Sequence, residues 1–266
     1  MKKVLSQALE EAAVSLRRNY NKSLVISVKE NPSSIVTNAD LESEKIIMGI
    51  IKEAYPGHNI ISEEYGFINN GSDTTWIIDP LDGTSNFAAH IPWFGVLIAV
   101  LKDNEPVHAA ACLPVQQDIY YAKKGAGCFK NGERINATSN SNLREMLVAF
   151  STDYTGDKAS LERGMEILKK LVPASRNIRN TNSLIDFLYV AEGKFGACVN
   201  MNTKIWDIAA PALLIEEAGG YMTGLNGHNI RFVIDPKGYA VNYPVITASC
   251  ALKESLMAIL RQPSGN

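Results

Sequence analysis

The sequence predicts an α+β fold in which helices and two sheets are layered within one body. Strand signals are grouped between residues 59 and 122, whereas helix and strand signals alternate from residue 147 onward. No Pro-, Gly- or Ser-rich linker separates the two stretches. At roughly 150 residues per domain, 266 residues make one large body or two fused halves. Without a linker the halves read as subdomains, 1–140 and 141–266, of a single unit.

Leu5, Ala8, Leu9, Ala12 and Leu16 recur at helical spacing, so an amphipathic helix opens the chain. A second helix is expected over 41–54, with Leu41, Ile47, Ile50 and Ile51 among its buried positions. Thr37 and Asp40 precede it at capping-box spacing, and Pro56-Gly57 ends it. Strands are expected at 59–62, 76–78, 94–102, 107–113 and 119–122, with Gly125, Gly127 and Asn131-Gly132 marking tight turns. In the second half, 147–150 reads as a strand and 161–171 as a helix. A helix over 183–191, a strand over 195–199 and a helix over 207–218 follow, the last stopped by Gly219-Gly220. A strand at 245–249 and a C-terminal helix complete the order.

A hydrophobic fraction of 46%, with 20% charged residues and a net charge of −2, describes a globular chain with a core. It excludes collagen-like, disulfide-scaffold and disordered classes. The charge balance also argues against a broad nucleic-acid surface, which needs clustered Lys and Arg. Met1-Lys2-Lys3-Val4-Leu5 begins like a signal peptide, but Glu10 and Glu11 interrupt the apolar run too early. The longest apolar stretch, 94–101, falls far short of the roughly 20 residues that span a bilayer. Cys112, Cys128, Cys198 and Cys250 are widely spaced and read as buried small residues or free thiols. The expected setting is cytoplasmic, with neither membrane nor nucleic acid as partner.

The chemistry concentrates in Trp76-Ile77-Ile78-Asp79-Pro80-Leu81-Asp82-Gly83-Thr84-Ser85-Asn86-Phe87. A hydrophobic strand runs into two carboxylates, followed by Gly and Thr where a helix can start. Turned toward one point, Asp79 and Asp82 would repel by about 4 kcal/mol at about 4 Å and an effective dielectric of about 20. A cation is needed between them. Hard oxygen donors suit Mg²⁺, which favours a few carboxylates together with water and substrate phosphate. Pro80 stiffens the turn and lets the Leu81 carbonyl point inward as a further ligand. Gly83 permits close approach to the backbone, and the Gly83 and Thr84 amides suit a phosphate. Taken alone, Asp82-Gly83 as a surface turn with Asp79 as a cap is the lesser alternative.

Two further acidic positions bear on the choice. Glu63-Glu64 follows the short apolar strand Ile60-Ile61-Ser62, where a solvated acidic face is the alternative. Asp207 lies in the first turn of an apolar helix beginning Trp206-Asp207-Ile208-Ala209-Ala210, where a carboxylate also favours the helix dipole.

Together these segments resemble the inositol monophosphatase family of metal-dependent, lithium-sensitive phosphatases. The likeness rests on the 79–87 segment and on Trp206-Asp207-Ile208-Ala209-Ala210 running to Glu217-Ala218-Gly219-Gly220. Ile61-Ser62-Glu63-Glu64 and Ile35-Val36-Thr37-Asn38-Ala39-Asp40 add to it, and all four stand in the family order across nearly the whole chain. The resemblance implies a layered α-β-α-β-α sandwich of the inositol monophosphatase and fructose-1,6-bisphosphatase type, usually a homodimer. It places most metal ligands in 1–140, with 141–266 completing the metal site and substrate pocket.

Residue by residue, the resemblance makes Glu63, Asp79, Leu81 through its carbonyl, Asp82 and Asp207 ligands of two or three Mg²⁺ ions. Asp79 would bridge two ions, with Asp82 and Asp207 completing the second. Thr84 and Glu63 would orient the attacking water, with Asp40 supporting Thr84. Gly83 and Thr84 would hold the phosphate, and Ser85, Ser183, Asn200 and Asp207 would contact substrate. Lys29, eleven residues before Asp40, falls at the spacing of a family lysine near the active-site mouth.

Asp82-Gly83-Thr84-Ser85-Asn86-Phe87 favours the inositol phosphatase branch, since related nucleotide phosphatases tend to carry Lys-Glu-Phe after the same Thr. Two positions depart from the family pattern. Thr181-Asn182-Ser183 stands in place of a small Gly-Ser/Thr-Ala stretch, and Asn200 in place of a Glu seven residues before Asp207. Asn accepts a hydroxyl hydrogen bond without the charge-assisted part. The expected activity is Mg²⁺-dependent hydrolysis of a small phosphate monoester, inositol 1-phosphate first. A sugar phosphate such as fructose 1,6-bisphosphate, histidinol phosphate, NADP and a nucleotide 3′-phosphate are the alternatives. A catalytically silent metal- or partner-binding protein is the reading from another class; it should have lost one of Glu63, Asp79, Asp82, Thr84 or Asp207, and none is lost.

Overall fold

The computed structural model describes residues 1–29, 34–153, 155–236 and 239–261. Helix α1 (Lys2–Asn19) presents Leu5, Ala8, Leu9, Ala12 and Leu16, all fully buried, as the expected stripe. A two-stranded ribbon, β1 (Ile26–Val28) and β2 (Ile35–Thr37), leads into α2 (Asn38–Ala54). The next strands are β3 (Asn59–Ser62), β4 (Gly66–Ile68) and β5 (Thr74–Asp82), followed by a short α3 (Thr84–Ala88). Strands β6 (Gly95–Lys102), β7 (Glu105–Leu113), β8 (Asp118–Lys123), β9 (Gly127–Lys130) and β10 (Glu133–Ile135) complete an eight-stranded sheet. Its order is β10-β9-β8-β7-β6-β5-β3-β4, antiparallel except for the β3–β5 pair.

In the second half come β11 (Leu147–Ser151), α4 (Lys158–Ala174), β12 (Asn177–Arg179), α5 (Ile185–Ala191) and β13 (Phe195–Asn200). They are followed by α6 (Ile205–Glu217), β14 (Gly220–Gly224), β15 (Val245–Ser249) and α7 (Lys253–Arg261). The five strands form a second sheet, ordered β12-β11-β13-β15-β14, in which β11 runs parallel to both neighbours.

Side-chain alternation along the strands produces the layers. On β5, Trp76 and Ile78 join α1 and α2 on one face, while Ile77 joins α5 and α6 on the other. On β13, Cys198 faces that same middle layer, while Ala197 and Val199 face α4 and α7. The result is α1α2, sheet, α5α6, sheet, α4α7: a five-layer α-β-α-β-α sandwich. Cys112, Cys128 and Cys198 are buried free thiols and Cys250 an exposed one. Among the described residues no helix is long and apolar enough to cross a membrane.

The structure differs from the sequence expectation in instructive places. Leu41, expected in the core, is 54% exposed, and Ile50 is only partly buried. The buried face of α2 carries Asp40, Ser43 and Glu44 ahead of Ile47, Met48 and Ile51, so counting apolar residues alone rotates that face away from its true direction. The three-residue strands β1, β4, β10 and β12 are too short to show a periodicity and exist through their pairing partners. Strand β14 begins at the second glycine of what reads as a helix stop.

Candidate active site

Asp79 and Asp82 are three residues apart, a spacing that puts side chains on opposite faces of a regular strand. Here the β5–β6 register shifts: Asp79 pairs with Leu97, and Asp82 with Gly95, so three steps on β5 match two on β6. The extra residue is a β-bulge, and it returns both carboxylates to one side. Pro80, which lacks an N–H, fits at the bulge without an orphaned donor. The Leu81 amide donates to Asp79 Oδ1 at 3.0 Å, and Ser43 Oγ on α2 donates to the Pro80 carbonyl at 2.7 Å. Asp82 Oδ1 accepts the Leu184 amide from the second half of the chain.

Directly after the bulge, Gly83 has φ +84°, and an added Cβ would lie 2.6 Å from the Trp93 carbonyl oxygen. Only glycine fits there. Thr84 then opens α3, its Oγ1 3.0 Å from both Asp40 Oδ1 and the Leu81 carbonyl oxygen. Asp40 is fully buried and closes the capping box expected from the sequence: its Oδ2 accepts the Thr37 amide at 2.9 Å and the Thr37 hydroxyl at 2.6 Å.

Glu63 is brought beside Asp79 by its amide, which donates to the Ile78 carbonyl at 3.2 Å. Lys29 Nζ donates to Glu63 Oε1 at 2.7 Å and also to Glu64. Glu44 on α2 accepts the amides of Glu64 and Tyr65 and the Ser62 hydroxyl, which fixes the turn carrying this pair. Asp207, in the first turn of α6, accepts the Lys204 amide at 2.6 Å. The helix-dipole role and a place in the site are therefore compatible.

Asp79, Asp82 and Asp207 each present a carboxylate oxygen within 4.8 Å of the others. Glu63 lines the same cavity but stands outside this trio, engaged with Lys29. Burial and then the neighbouring carboxylates Glu63, Asp82 and Asp207 push Asp79 well above the usual carboxylate range. Burial and then Asp207 do the same to Asp82. Asp207 is pushed up to about 6 and Glu63 to about 7, both chiefly by burial, with Lys29 opposing the rise at Glu63. Burial alone would lower Lys29, yet Glu63 and Glu64 hold it above its ordinary value. Converging oxygen donors that resist ionisation together are what a hard divalent cation relieves, so this donor set fits Mg²⁺.

The trio floors a cavity of about 140 Å³ also lined by Leu81, Gly83, Thr84, Ser183 and Asn200. It opens into a cleft of about 760 Å³ whose walls include Lys29 and Ser85. Asp40 lines neither and acts from behind Thr84. Asp153 and Asn202, which the sequence did not single out, line both spaces, as does Asn182 of the divergent 181–183 stretch. Their signal was positional: Asp153 and Asn202 follow the carboxyl ends of the parallel strands β11 and β13, where ligands gather in such sheets. Sequence reasoning passed over Ser43 and Glu44 as well, three and four residues beyond Asp40 on the same helix face.

A sequence model of the inositol monophosphatase family matches residues 1–263. The chain belongs to that family. Like the other members of the inositol monophosphatase family, it is a phosphatase, a phosphoric monoester hydrolase, and the family is Mg²⁺-dependent. A Nus factor SuhB from Pseudomonas aeruginosa is 33% identical over 233 residues, 85% of this chain and 86% of that protein. An inositol-1-monophosphatase from Caulobacter vibrioides is 32% identical over 228 residues, 83% of this chain and 88% of that one. The crystal structure of extragenic suppressor protein suhB from Bartonella henselae superposes with a TM-score of 0.88 at 29% identity, covering 98% of each chain.

Proposed function

We propose that this family member hydrolyses a small phosphorylated alcohol, inositol 1-phosphate first among them, in a Mg²⁺-dependent reaction. One observation carries the reading: carboxylate oxygens of Asp79, Asp82 and Asp207, drawn from both halves of the chain, converge on the floor of a polar cavity. Glu63, Asp79, the Leu81 carbonyl, Asp82 and Asp207 would hold the Mg²⁺, two or three ions in all. The chemistry that Mg²⁺ supplies when bound is charge, which neutralises phosphoryl oxygens and the leaving alkoxide and acidifies water.

The chain's own groups do the positioning. The Gly83 and Thr84 amides hold phosphoryl oxygens. The Thr84 hydroxyl, fixed by Asp40, and the Glu63 carboxylate orient the attacking water in line with the leaving alcohol. Ser85 and Lys29 stand at the mouth, where the lysine adds positive charge for an incoming anion. Ser183, Asn200 and Asp207 meet the leaving alcohol. An in-line displacement needs alignment and charge neutralisation rather than a covalent intermediate. The histidine nearest Ser85 in sequence, His90, is bonded to the Tyr20 carbonyl at 2.8 Å, so it does not activate that serine. The same reading makes the protein one phosphatase body per chain, a lithium-inhibited homodimer working in the cytoplasm.

The test is phosphate release from a panel of inositol, sugar, histidinol and nucleotide phosphates, with and without Mg²⁺. Fastest Mg²⁺-dependent release from inositol 1-phosphate is the expected result. Faster turnover of another ester would replace the substrate and leave the site assignment in place. Light scattering decides the dimer.

A further inference from the structure

We infer that Asp186 is a positioning residue that sets the shape of the 181–183 loop and, through it, which leaving alcohols the site accepts. This rests on the phosphatase reading above and concerns the substrate wall rather than the metal ligands. Asp186 lies in the first turn of α5 and is 1% exposed. A carboxylate so deep is costly unless hydrogen-bonded, and its partners tie the loop to the neighbouring strand. Oδ2 accepts the hydroxyl of Ser151, the last residue of β11, at 3.0 Å. Oδ1 accepts the Thr181 hydroxyl at 2.9 Å, and that hydroxyl lies 3.1 Å from the Ser183 hydroxyl. The Asp186 amide in turn donates to the Ser183 carbonyl at 3.0 Å. One residue therefore clasps both ends of a three-residue loop and fastens it to β11.

What the clasp holds is bent backbone at the cavity wall. Asn182, at the loop's centre, has φ +48°, in the left-handed region that favours glycine, and its side chain donates to Asp153 Oδ1 at 3.0 Å. Asn182, Asp153 and Ser183 all line the cavity beside the carboxylate trio, whereas Asp186 does not. On the phosphate side, Asn86 Nδ2 donates to the Thr181 carbonyl at 2.9 Å. A loop held at this many points is a preformed wall, and small displacements of such a wall weaken binding of whatever lies against it. Asp186 touches neither the cavity nor the Gly83-Thr84 backbone, so it acts on the leaving alcohol through the loop it holds.

The experiment compares Asp186→Asn, Asp186→Ala and Thr181→Val with the wild type, using whichever panel ester the wild type turns over fastest. A poor result with inositol 1-phosphate thus overturns the substrate reading without touching this one. Expected values are a KM raised about tenfold in Asp186→Ala and about threefold in Asp186→Asn and Thr181→Val, with kcat within about twofold. Competitive inhibition by inorganic phosphate, which lacks the alcohol, and Mg²⁺ binding measured by calorimetry should stay within about twofold of wild type. If Asp186→Ala does not fold, the other two variants decide. Unchanged KM in both, or phosphate inhibition weakening in step with KM, overturns the inference.

Discussion

Thr84 Oγ1 sits 3.0 Å from Asp40 Oδ1, although 44 residues of sequence separate the two. The same oxygen is 3.0 Å from the Leu81 carbonyl, yet a hydroxyl has one proton to donate. Asp40 therefore competes with Leu81 for that proton while its other oxygen caps α2. Burial raises the Asp40 pKa and the bonds from Thr37 and Thr84 offset part of the rise, so the group depends on its donors.

Separate variants divide the two duties of Asp40. Thr84→Val removes the hydroxyl and leaves the helix cap, so kcat should fall about 100-fold, with a stability loss limited to the one donor that Asp40 Oδ1 gives up. Asp40→Asn should show a similar loss of kcat together with about 1 kcal/mol of lost stability from the weakened cap. Equal stability losses with normal turnover would remove Thr84 from the reaction.

The metal-free protein should lose stability as pH rises. Folded-state pKa values of Asp79, Asp82, Asp207 and Glu63 all lie above the unfolded ones, with Asp207 at about 6 and Glu63 at about 7. Such groups bind their protons more tightly when folded. Their contribution is full below the unfolded value of about 4 and is lost as pH climbs through the folded one. In EDTA, Tm should therefore decline between pH 5 and pH 7.5 by several degrees (roughly 2–4 °C per kcal/mol). Saturating Mg²⁺ should raise Tm more at the higher pH, since it binds the ionised carboxylates. An equal Mg²⁺ shift at both pH values would contradict the shared-site reading.

Asp82→Asn tests the trio from another side. An asparagine oxygen can still accept the Leu184 amide, so the backbone contact survives while one charge leaves a crowded cluster. Turnover should fall by more than about 100-fold, and the metal-free protein should melt no lower than wild type at neutral pH. Near-normal activity would remove Asp82 from the metal site.

How much of this was legible in the sequence depends on whether the determining contact was local. The Thr37–Asp40 cap and the α1 stripe are local and were readable from spacing alone. The convergence of Asp79 and Asp82 was not readable from strand periodicity, which points them apart, because the bulge appears only in the pairing with β6. Leu41 was misplaced because the buried face of α2 is polar where it supports the site. Asp186 gave no signal at all: its partners Ser151 and Thr181 lie on a different strand and loop and are ordinary hydroxyl residues.

Gly83→Ala should destabilise the protein by about 1–3 kcal/mol, through both the positive φ and the contact at the Trp93 carbonyl. If that backbone holds the phosphate as proposed, inhibition by inorganic phosphate should weaken with it. A variant with normal stability would mean that the 93–94 backbone yields freely.

Asn200 bears on selectivity. It is 8% exposed, closes β13 opposite Ser151 of β11, and its Oδ1 accepts the Asn202 amide at 3.0 Å. Asn200→Glu would place a charged acceptor on the cavity wall, where hydroxyl donors bind a carboxylate more strongly than an amide. KM for inositol 1-phosphate should fall about fivefold, and metal-free stability at pH 7.5 should fall too, because the new charge faces Asp82 and Asp207 across the same small cavity. The two effects share one cause, so they should appear together. A destabilised variant with unchanged KM would show that the carboxylate reaches the cavity without meeting the substrate's hydroxyls, and selectivity would then rest with the 181–183 loop.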